Sequence, residues 1–426
     1  MTPPAEQNWS HLALLRLNAF GVGINGYFLA IDTVILPVLV LVLVPEALKN
    51  TLLGTLGFCG LIVAAVTQIV IGRISDRTTS PLGRRVPFLI WGCAFVCLGM
   101  VGVGFAPNYW VLFGVWLFIQ ANINVGYGPY QALIQDFVPT SRTGVASAFK
   151  ILTDAVGGVA FIKISSVFMG NYDNGNAVEW LWIALAVLGI NLIVFTGITS
   201  ATVLTRKSGT GGTKDISSLP ASATSRLHPQ ISLFLLSRLL LVTAVAAFQT
   251  YGLFFLRDKV GLDNAVQDLG NMILLVGGAL AVSVYPAGWL SDRVGRKPVV
   301  LAGAAGAAVT TLWMLTAGTA SEVLLIATCI GFSVGTLLSA NWALANDLGT
   351  AGQEARHMGV VNLSTIGGAA LAKLLGPGID LMNRTSAASG YSTLLVGCAA
   401  LFVIGGLLLM PLKTTLPIRP SSDPSS

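Results

Sequence analysis

The sequence GRISDR at residues 72–77 recurs as GWLSDR at residues 288–293, and each copy is soon followed by a glycine and two basic residues. A second pair of matching segments follows in the same order, ALIQD at residues 132–136 and ALAND at residues 343–347. Both pairs have nearly the same separation along the chain. Two matches in the same order predict that the protein consists of two related halves.

Long apolar stretches surround both copies of this repeat. A helix needs about 20 mostly apolar residues to cross the hydrocarbon of a bilayer. Such runs are too continuous for barrel strands, which alternate over about ten residues. The sequence therefore predicts an all-α membrane protein, with twelve transmembrane helices in two pseudo-symmetric six-helix bundles. Their predicted bounds are 12–38, 50–72, 86–106, 109–133, 143–168, 178–203, 231–256, 269–290, 298–317, 321–345, 357–382 and 391–412.

Composition and charge agree with a membrane location. Only 10% of the residues are charged and 54% are hydrophobic, whereas a water-soluble protein has about 25% charged residues. Of the 24 Lys and Arg residues, five lie within apolar stretches and four in the loops of one side. The remaining fifteen lie on the other side. Because basic residues concentrate in cytoplasmic loops, the sequence predicts that both termini are cytoplasmic.

The longest polar segment separates the two predicted halves. Residues 205–230 are rich in Gly, Ser, Thr and Pro, a composition typical of a flexible linker. We therefore predict an N-terminal bundle at 1–204, a cytoplasmic linker at 205–230 and a C-terminal bundle with a short cytoplasmic tail at 231–426. Both bundles begin on the same side, so the repeats are expected to be parallel, related by an axis along the membrane normal.

Several classes of function lack support in the sequence. The basic residues follow the topology of the loops, so the net charge of +6 does not indicate a nucleic-acid partner. The five cysteines lie in apolar stretches without metal-ligand spacing, and the three histidines lie far apart. No nucleotide-binding loop or nucleophile–base motif is present. We expect no enzyme activity, no cofactor and no metal site.

A few ionisable residues lie inside the predicted membrane helices. Such residues cost at least about 2.5 kcal/mol each to insert, so they normally face a cavity or a partner. Lys150 and Asp154 are four residues apart, hence on one helix face. They are candidates for proton coupling, or for a static ion pair. Asp32 is a second candidate for the proton, or a structural hydrogen-bonding group. Arg238 and Lys373 could pair with either acid or receive an anionic group of the solute.

A polar stripe follows one face of the fourth predicted helix. Gln120, Asn124 and Tyr127 have helical i, i+4, i+7 spacing, and amides with aromatic rings suit a polyol. Interhelical hydrogen bonding is the alternative interpretation. Other polar side chains in the membrane helices could complete a binding site for the solute: Asn25, Tyr27, Arg238, Gln249, Asn341 and Lys373. The excess of bases over acids slightly favours a solute with a carboxylate.

The segment GRISDRTTSPLGRRVP at residues 72–87 resembles the loop between the second and third helices of major facilitator superfamily transporters. Its form is most similar to the sucrose/proton symporters, with a looser likeness to the glycoside–pentoside–hexuronide symporters. The resemblance implies a gate between the halves on the cytoplasmic side, although a solvated turn is the alternative. The implied gating residues are Gly72, Asp76, Arg77, Arg84, Arg85, Gly288, Asp292, Arg293 and Arg296.

The sequence departs from these branches in two places. The second predicted helix lacks the aspartates that the melibiose-type carriers use for sodium, and the fourth lacks the basic residue of plant sucrose carriers. Sodium coupling and sucrose as the solute are therefore both in question.

The resemblance and the buried charges together favour a secondary active transporter. We expect proton-coupled alternating access of a small polar solute, a sugar or glycoside, across the plasma (inner) membrane. The protein is expected to act as a monomer, with the lipid bilayer and protons as its other partners. The alternatives are proton-antiport export of amphipathic compounds and a non-transporting membrane sensor or assembly factor.

Overall fold

The computed structural model describes residues 9–172, 175–206, 229–348 and 354–412. Its secondary structure is helical throughout the described ranges, without strands. Twelve helices there are long and apolar enough to cross a membrane, which confirms the predicted all-α membrane protein. We name them α1 to α12: Phe20–Leu43, Glu46–Arg77, Val86–Gly104, Tyr109–Phe137, Thr143–Met169, Val178–Leu204, Gln230–Val260, Ala265–Val294, Arg296–Thr316, Ala320–Asp347, Gly359–Thr385 and Ser389–Leu407.

Most predicted bounds agree with these helices to within a few residues. The first stretch differs, because it combines a short separate helix, His11–Leu17, with most of α1. Ends near the arginine-rich loops are called inner below, following the predicted orientation, and the opposite ends are called outer. The predicted linker at 205–230 lies almost wholly outside the described residues, so it stays a prediction.

Three of the helices are irregular. α1 and α7 each contain a π-helical segment, Ile31–Ile35 and Phe255–Val260. α11 consists of two pieces, because the helix Glu354–Lys373 ends before a second helix, Gly376–Thr385, begins. The break precedes the Gly-Pro-Gly sequence, where the proline ring prevents the backbone from donating a helical hydrogen bond. α4, by contrast, runs without interruption through Pro129.

The described residues form two compact units. Unit 1 comprises Met1–Ala223, Leu253–Leu274 and Lys373–Ser386, and unit 2 comprises Thr224–Gly252, Leu275–Ala372 and Ala387–Ser426, in each case without the undescribed residues. Unit 1 therefore contains α1 to α6 with the outer ends of α7, α8 and α11. The division of the chain into two halves at residues 204 and 231 stays a prediction.

Close packing of small residues is evident in unit 2. A Cβ atom added at Gly331 of α10 would lie 2.5 Å from the Val276 backbone oxygen and 2.9 Å from the Ala279 Cβ, both on α8. One turn later, a Cβ at Gly335 would collide with Ser283. The glycines therefore let the two helices approach closely, as such pairs do in membrane proteins.

We expect Gly331→Ala to lower the thermal midpoint of unfolding, because forcing extra atoms into close packing costs about 1–3 kcal/mol. Gly278→Ala on α8 is the matched control, since a Cβ there meets no atom within 4 Å. Thermal unfolding of the purified variants in detergent, followed by tryptophan fluorescence, measures the difference. Equal midpoints would contradict the close contact between α8 and α10.

Candidate functional site

The loop between α2 and α3 is held by a network of charges in unit 1. Arg85 is buried, and its guanidinium lies 2.8 Å from an oxygen of Asp76 and 2.7 Å from an oxygen of Asp136. Arg84 also binds Asp136, at 2.6 Å. Burial alone would lower the pKa of Arg85, but its hydrogen bonds and attraction to Asp136 and Asp76 raise that pKa above its usual range. These arginines therefore do more than determine topology.

Unit 2 contains a similar network, in which Arg296, the first basic residue after Gly295, makes the contacts that Arg85, the second after Gly83, makes in unit 1. Arg296 pairs with Asp292 and lies 3.2 Å from Asp347 on α10. Both networks also include the serine before the first aspartate, to which the arginine donates a hydrogen bond. Asp136 and Asp347 end the matching segments ALIQD and ALAND, so the two sequence repeats meet in space within each unit.

Glycines in these two loops have different roles. Gly83 and Gly295 have φ angles of +80° and +97°, in a region that other residues rarely adopt, and each directly precedes its basic pair. A Cβ added at Gly72 would meet no atom within 4 Å, and at Gly288 it would be in ordinary contact with Ser339, at 3.4 Å. A gating role for both glycines stays a prediction.

The two remaining candidates in these loops make no ion pair among the described residues. Arg77 is exposed at the end of α2. Arg293 stacks on the Trp289 ring, with its guanidinium carbon 3.8 Å from the ring centroid. A gating role for both stays a prediction.

Asp32 and Lys373 form an ion pair in unit 1, although 341 residues separate them in sequence. The Lys373 ammonium lies 3.1 and 2.9 Å from the two carboxylate oxygens, and the side chains are only 9% and 15% exposed. Asp32 belongs to the π-helical segment of α1, and Lys373 is the last residue before the break in α11. The pairing is one of those that the sequence left open.

Gly57 on α2 makes room for this ion pair. A Cβ atom there would lie 2.6 to 3.0 Å from the last three atoms of the Lys373 side chain. Lys373 therefore extends across the bare backbone of α2 to reach α1. Sequence reasoning missed Gly57, because nothing in the pattern distinguishes it from the other glycines.

Lys150 and Asp154 also form an ion pair, at 2.7 Å, on one face of α5. The Lys150 ammonium lies 5.6 Å from the Tyr127 ring centroid and 5.0 Å from that of Tyr130, both on α4. The second carboxylate oxygen of Asp154 is buried without a hydrogen-bond partner among the described residues. A Cβ at Gly21 of α1 would collide with that oxygen, so a glycine again leaves space for an ion pair.

Arg238 is only 2% exposed in unit 2. It donates hydrogen bonds to the Thr365 hydroxyl, at 3.0 Å, and to the Asn341 side-chain oxygen. Its guanidinium carbon lies 4.2 Å from the centroid of the Trp342 ring. These four residues come from α7, α10 and α11, and two of them, Arg238 and Asn341, were predicted as binding residues.

The other predicted binding residues are not brought into a common cluster by the contacts described. The Asn124 amide donates to the Gln120 backbone oxygen within α4, at 2.9 Å. Asn25 donates in the same way to Gly21 within α1. Tyr27 is fully buried, and its hydroxyl has no hydrogen-bond partner among the described residues. Gln249 is half-buried on α7.

Several polar contacts join the outer ends of helices in unit 1. Asp380, on the second piece of α11, accepts hydrogen bonds from the Asn50 side chain at 2.8 Å and from the Thr51 amide and hydroxyl at 2.7 and 2.6 Å. Its carboxylate is thus at the N-terminus of α2, where the helix dipole favours a negative charge. Lys49 pairs with Asp258, at the end of α7. We call Asp380, Asn50, Thr51, Lys49 and Asp258 the outer clamp.

Sequence reasoning missed the outer clamp. Asp380 was not among the predicted site residues. The available signal was an acid shortly after a Gly-Pro-Gly break. The partner of Asp380, a helix N-terminus distant in the chain, was not visible in the sequence.

The described residues contain no cluster typical of a metal site. Within the described ranges, no group of three or more His, Cys, Asp or Glu side chains could hold a metal ion. The five cysteines are free thiols.

The sequence is similar to one family model and to several curated proteins. The family model described as MFS/sugar transport protein matches residues 19–354. The chain is 26% identical over 156 residues to sucrose transport protein SUT3 of Oryza sativa subsp. indica, which covers 31% of this chain and 29% of that protein. It is 29% identical over 176 residues to sucrose transport protein SUC4 of Arabidopsis thaliana, which covers 37% and 33%. The matches thus span about a third or less of these curated relatives.

Solved structures show the same fold. The crystal structure of the nucleoside transporter NupG has a TM-score of 0.70 at 13% identity, and covers 93% of this chain and 99% of that chain. The crystal structure of a D-xylose-proton symporter has a TM-score of 0.70 at 15% identity, with 94% and 97% covered. At these identities the likeness establishes the fold alone. The fold implied by the loop at residues 72–87 is confirmed.

We expect Asp380→Ala to destabilise the protein by about 0.5–2 kcal/mol, the usual loss when a side chain that caps a helix N-terminus is removed. Asp263→Ala is the matched control, because Asp263 is an exposed outer-side acid without an ion pair in the described ranges. Chemical unfolding in detergent measures both. Equal stabilities would contradict the capping role of Asp380.

Proposed function

Since this chain belongs to the family of MFS/sugar transport proteins, we propose that it is a secondary active transporter that moves a sugar or glycoside by proton-coupled alternating access. Its curated relatives are named as sucrose transport proteins, and one structural relative is a D-xylose-proton symporter. Those names support a sugar as the solute and the proton as the coupling ion. The observation that carries the coupling is the ion pair between Asp32 and Lys373.

This ion pair can link a proton to a movement of helices. Protonation removes the negative charge of Asp32, so the full ion pair with Lys373 forms only after the proton has left. The contact joins α1 to α11 directly before the break in α11. In the proposed cycle, a proton enters on Asp32 while the outer ends are apart. It leaves when Lys373 arrives, which ties proton release to closure of the outer side.

The outer clamp supports closure at the same side. Asp380 lies on the outer piece of α11, just beyond the break that follows Lys373. We propose that the outer clamp and the ion pair form together when the outer side closes, and separate when it opens. The inner loops, with Arg85 and Arg296 as their central cations, would act as the gate on the opposite side.

Asp154 and Lys150 remain a second candidate for proton coupling. They lie on one helix and contact tyrosines of α4, so their contact does not join the two predicted halves. We propose that this cluster, with Tyr127, Gln120, Asn124, Asn25 and Tyr27, contacts the solute from unit 1. We propose that the solute is contacted from unit 2 by Gln249, Arg238 and Asn341.

The orientation follows from the loop charges. We propose a plasma (inner) membrane location with both termini cytoplasmic, because the loops on that side carry the excess of Lys and Arg. We further propose that the monomer is the functional unit, with protons rather than sodium as the coupling ion.

We expect uptake of one or more sugars by proteoliposomes that contain the full chain. The probes are radiolabelled sucrose, D-xylose and a phenyl glucoside, with an internal pH dye. Solute-dependent acidification of the interior is the expected result, because symport carries protons inward. Uptake that needs sodium and leaves internal pH unchanged would contradict proton coupling, and a lack of uptake of every sugar would contradict the substrate class.

We expect Asp32→Asn to abolish accumulation against a gradient while exchange of labelled sugar continues, since the proton carrier is lost but the solute site remains. The double variant Asp32→Asn/Lys373→Gln removes both charges and thus avoids an unpaired buried cation. It should regain stability but not accumulation. Recovery of accumulation in the double variant would show that the pair is only structural. Asp263→Asn serves as the control for loss of an outer-side acid.

A further inference from the structure

Arg238 differs from the other buried cations in its partners. Four Lys or Arg side chains are buried within the described ranges, Lys49, Arg85, Arg238 and Lys373. Three of them have carboxylate partners. Arg238 has none among the described residues, and its hydrogen bonds go to the neutral groups of Asn341 and Thr365.

A buried charge without a counter-charge is energetically unfavourable. Removing an ion from water carries a large desolvation penalty, which the protein normally offsets with an opposite charge. Neutral hydrogen bonds and the Trp342 ring stabilise the guanidinium only in part. An anion would therefore gain more binding free energy beside Arg238 than beside a cation that already has a carboxylate partner, such as Lys373.

One edge of the guanidinium has no hydrogen-bond partner among the described residues. Thr365 occupies the Nε donor, Asn341 occupies one donor of Nη1, and the Trp342 ring covers one face. No described residue accepts a hydrogen bond from Nη2. The pair of terminal nitrogens is the edge that binds a carboxylate with two parallel hydrogen bonds.

Asn341 provides an independent indication of a ligand. The residue is 1% exposed, and its side-chain nitrogen Nδ2 is buried without a hydrogen-bond partner among the described residues. Its oxygen already binds Arg238, so the amide orientation is determined by that contact. Leaving a buried donor without an acceptor is unfavourable, and an oxyanion held by Arg238 would supply that acceptor.

We propose that Arg238 and Asn341 bind a carboxylate of the transported solute, so that the preferred substrate is a sugar that bears an acidic group. This inference rests on the proposed function, because it names the substrate class of the same transporter. Lys373 is not part of this subsite, since Asp32 already neutralises it. A separate small anion bound beside a neutral sugar would present the same chemistry, and the test below distinguishes the two sources.

The test compares phenyl β-glucuronide with phenyl β-glucoside, which differ only in a carboxylate in place of a hydroxymethyl group. Binding to the purified full chain in detergent is measured by tryptophan fluorescence, which needs no proton gradient. We expect the glucuronide to bind at least about tenfold more tightly, as charged hydrogen bonds allow. Equal affinities, or tighter binding of the glucoside, would overturn the proposal.

Two variants locate the preference at Arg238. Arg238→Gln should remove the preference, so that the glucuronide binds no more tightly than the glucoside does to the same variant. Asn341→Asp supplies a carboxylate within the protein, so it should also remove the preference while raising the thermal midpoint of unfolding. The Asn341→Asp variant still tests the proposal if the Arg238→Gln variant does not fold. Arg384→Gln, at an exposed residue of α11, is the control that should retain the preference.

Three further outcomes would change the conclusion. Persistence of the glucuronide preference in either Arg238→Gln or Asn341→Asp would overturn the assignment to this subsite. Tighter binding of the glucoside in the presence of acetate, without a preference for the glucuronide, would overturn it in favour of a separate anion. Failure of proteoliposomes to take up both the neutral sugars and phenyl β-glucuronide would refute the proposed function, whereas loss of the glucuronide preference alone would leave sugar transport intact.

Discussion

An ionised side chain in apolar surroundings is stable only next to a group that compensates its charge, and this constraint governs the polar interior of the protein. Lys373 extends across α2 to reach Asp32, and Lys150 remains on its own helix with Asp154. In each pair one side chain lies where a glycine of another helix leaves space, Lys373 at Gly57 and Asp154 at Gly21. The apolar helices thus provide the framework, and the compensation of charge determines which of their faces come into contact.

The fold was largely predictable because its physical signals are local. Twelve apolar stretches of sufficient length appear in the sequence, and the described part of the chain has twelve corresponding helices. The pairing of Lys150 with Asp154 was predictable for the same reason, since it depends only on spacing along one helix. The π-helical segments were not predicted. That of α1 lies within a long apolar stretch, and that of α7 begins in an apolar stretch and continues into charged residues.

Contacts between distant elements were predictable only as sets of alternatives. The sequence identified Asp32, Asp154, Arg238 and Lys373 as a group, but it could not decide which would pair, because helix rotation is not encoded in composition. The repeats were more informative. Two short matches in each half anticipated the networks around Arg85 and Arg296, although the matches alone did not show that the second segment of each pair supplies an aspartate to the first.

The π-helical segment at Ile31–Ile35 has a consequence for how α1 presents its side chains. A single wide turn accommodates one residue more than a regular turn, so the residues on its two sides are out of phase by about 100° around the axis. A helical wheel drawn through all of α1 would therefore assign one half to the wrong direction. Asp32 lies at the junction of the two phases, so deletion of a single residue there would reorient one half of the helix relative to the other.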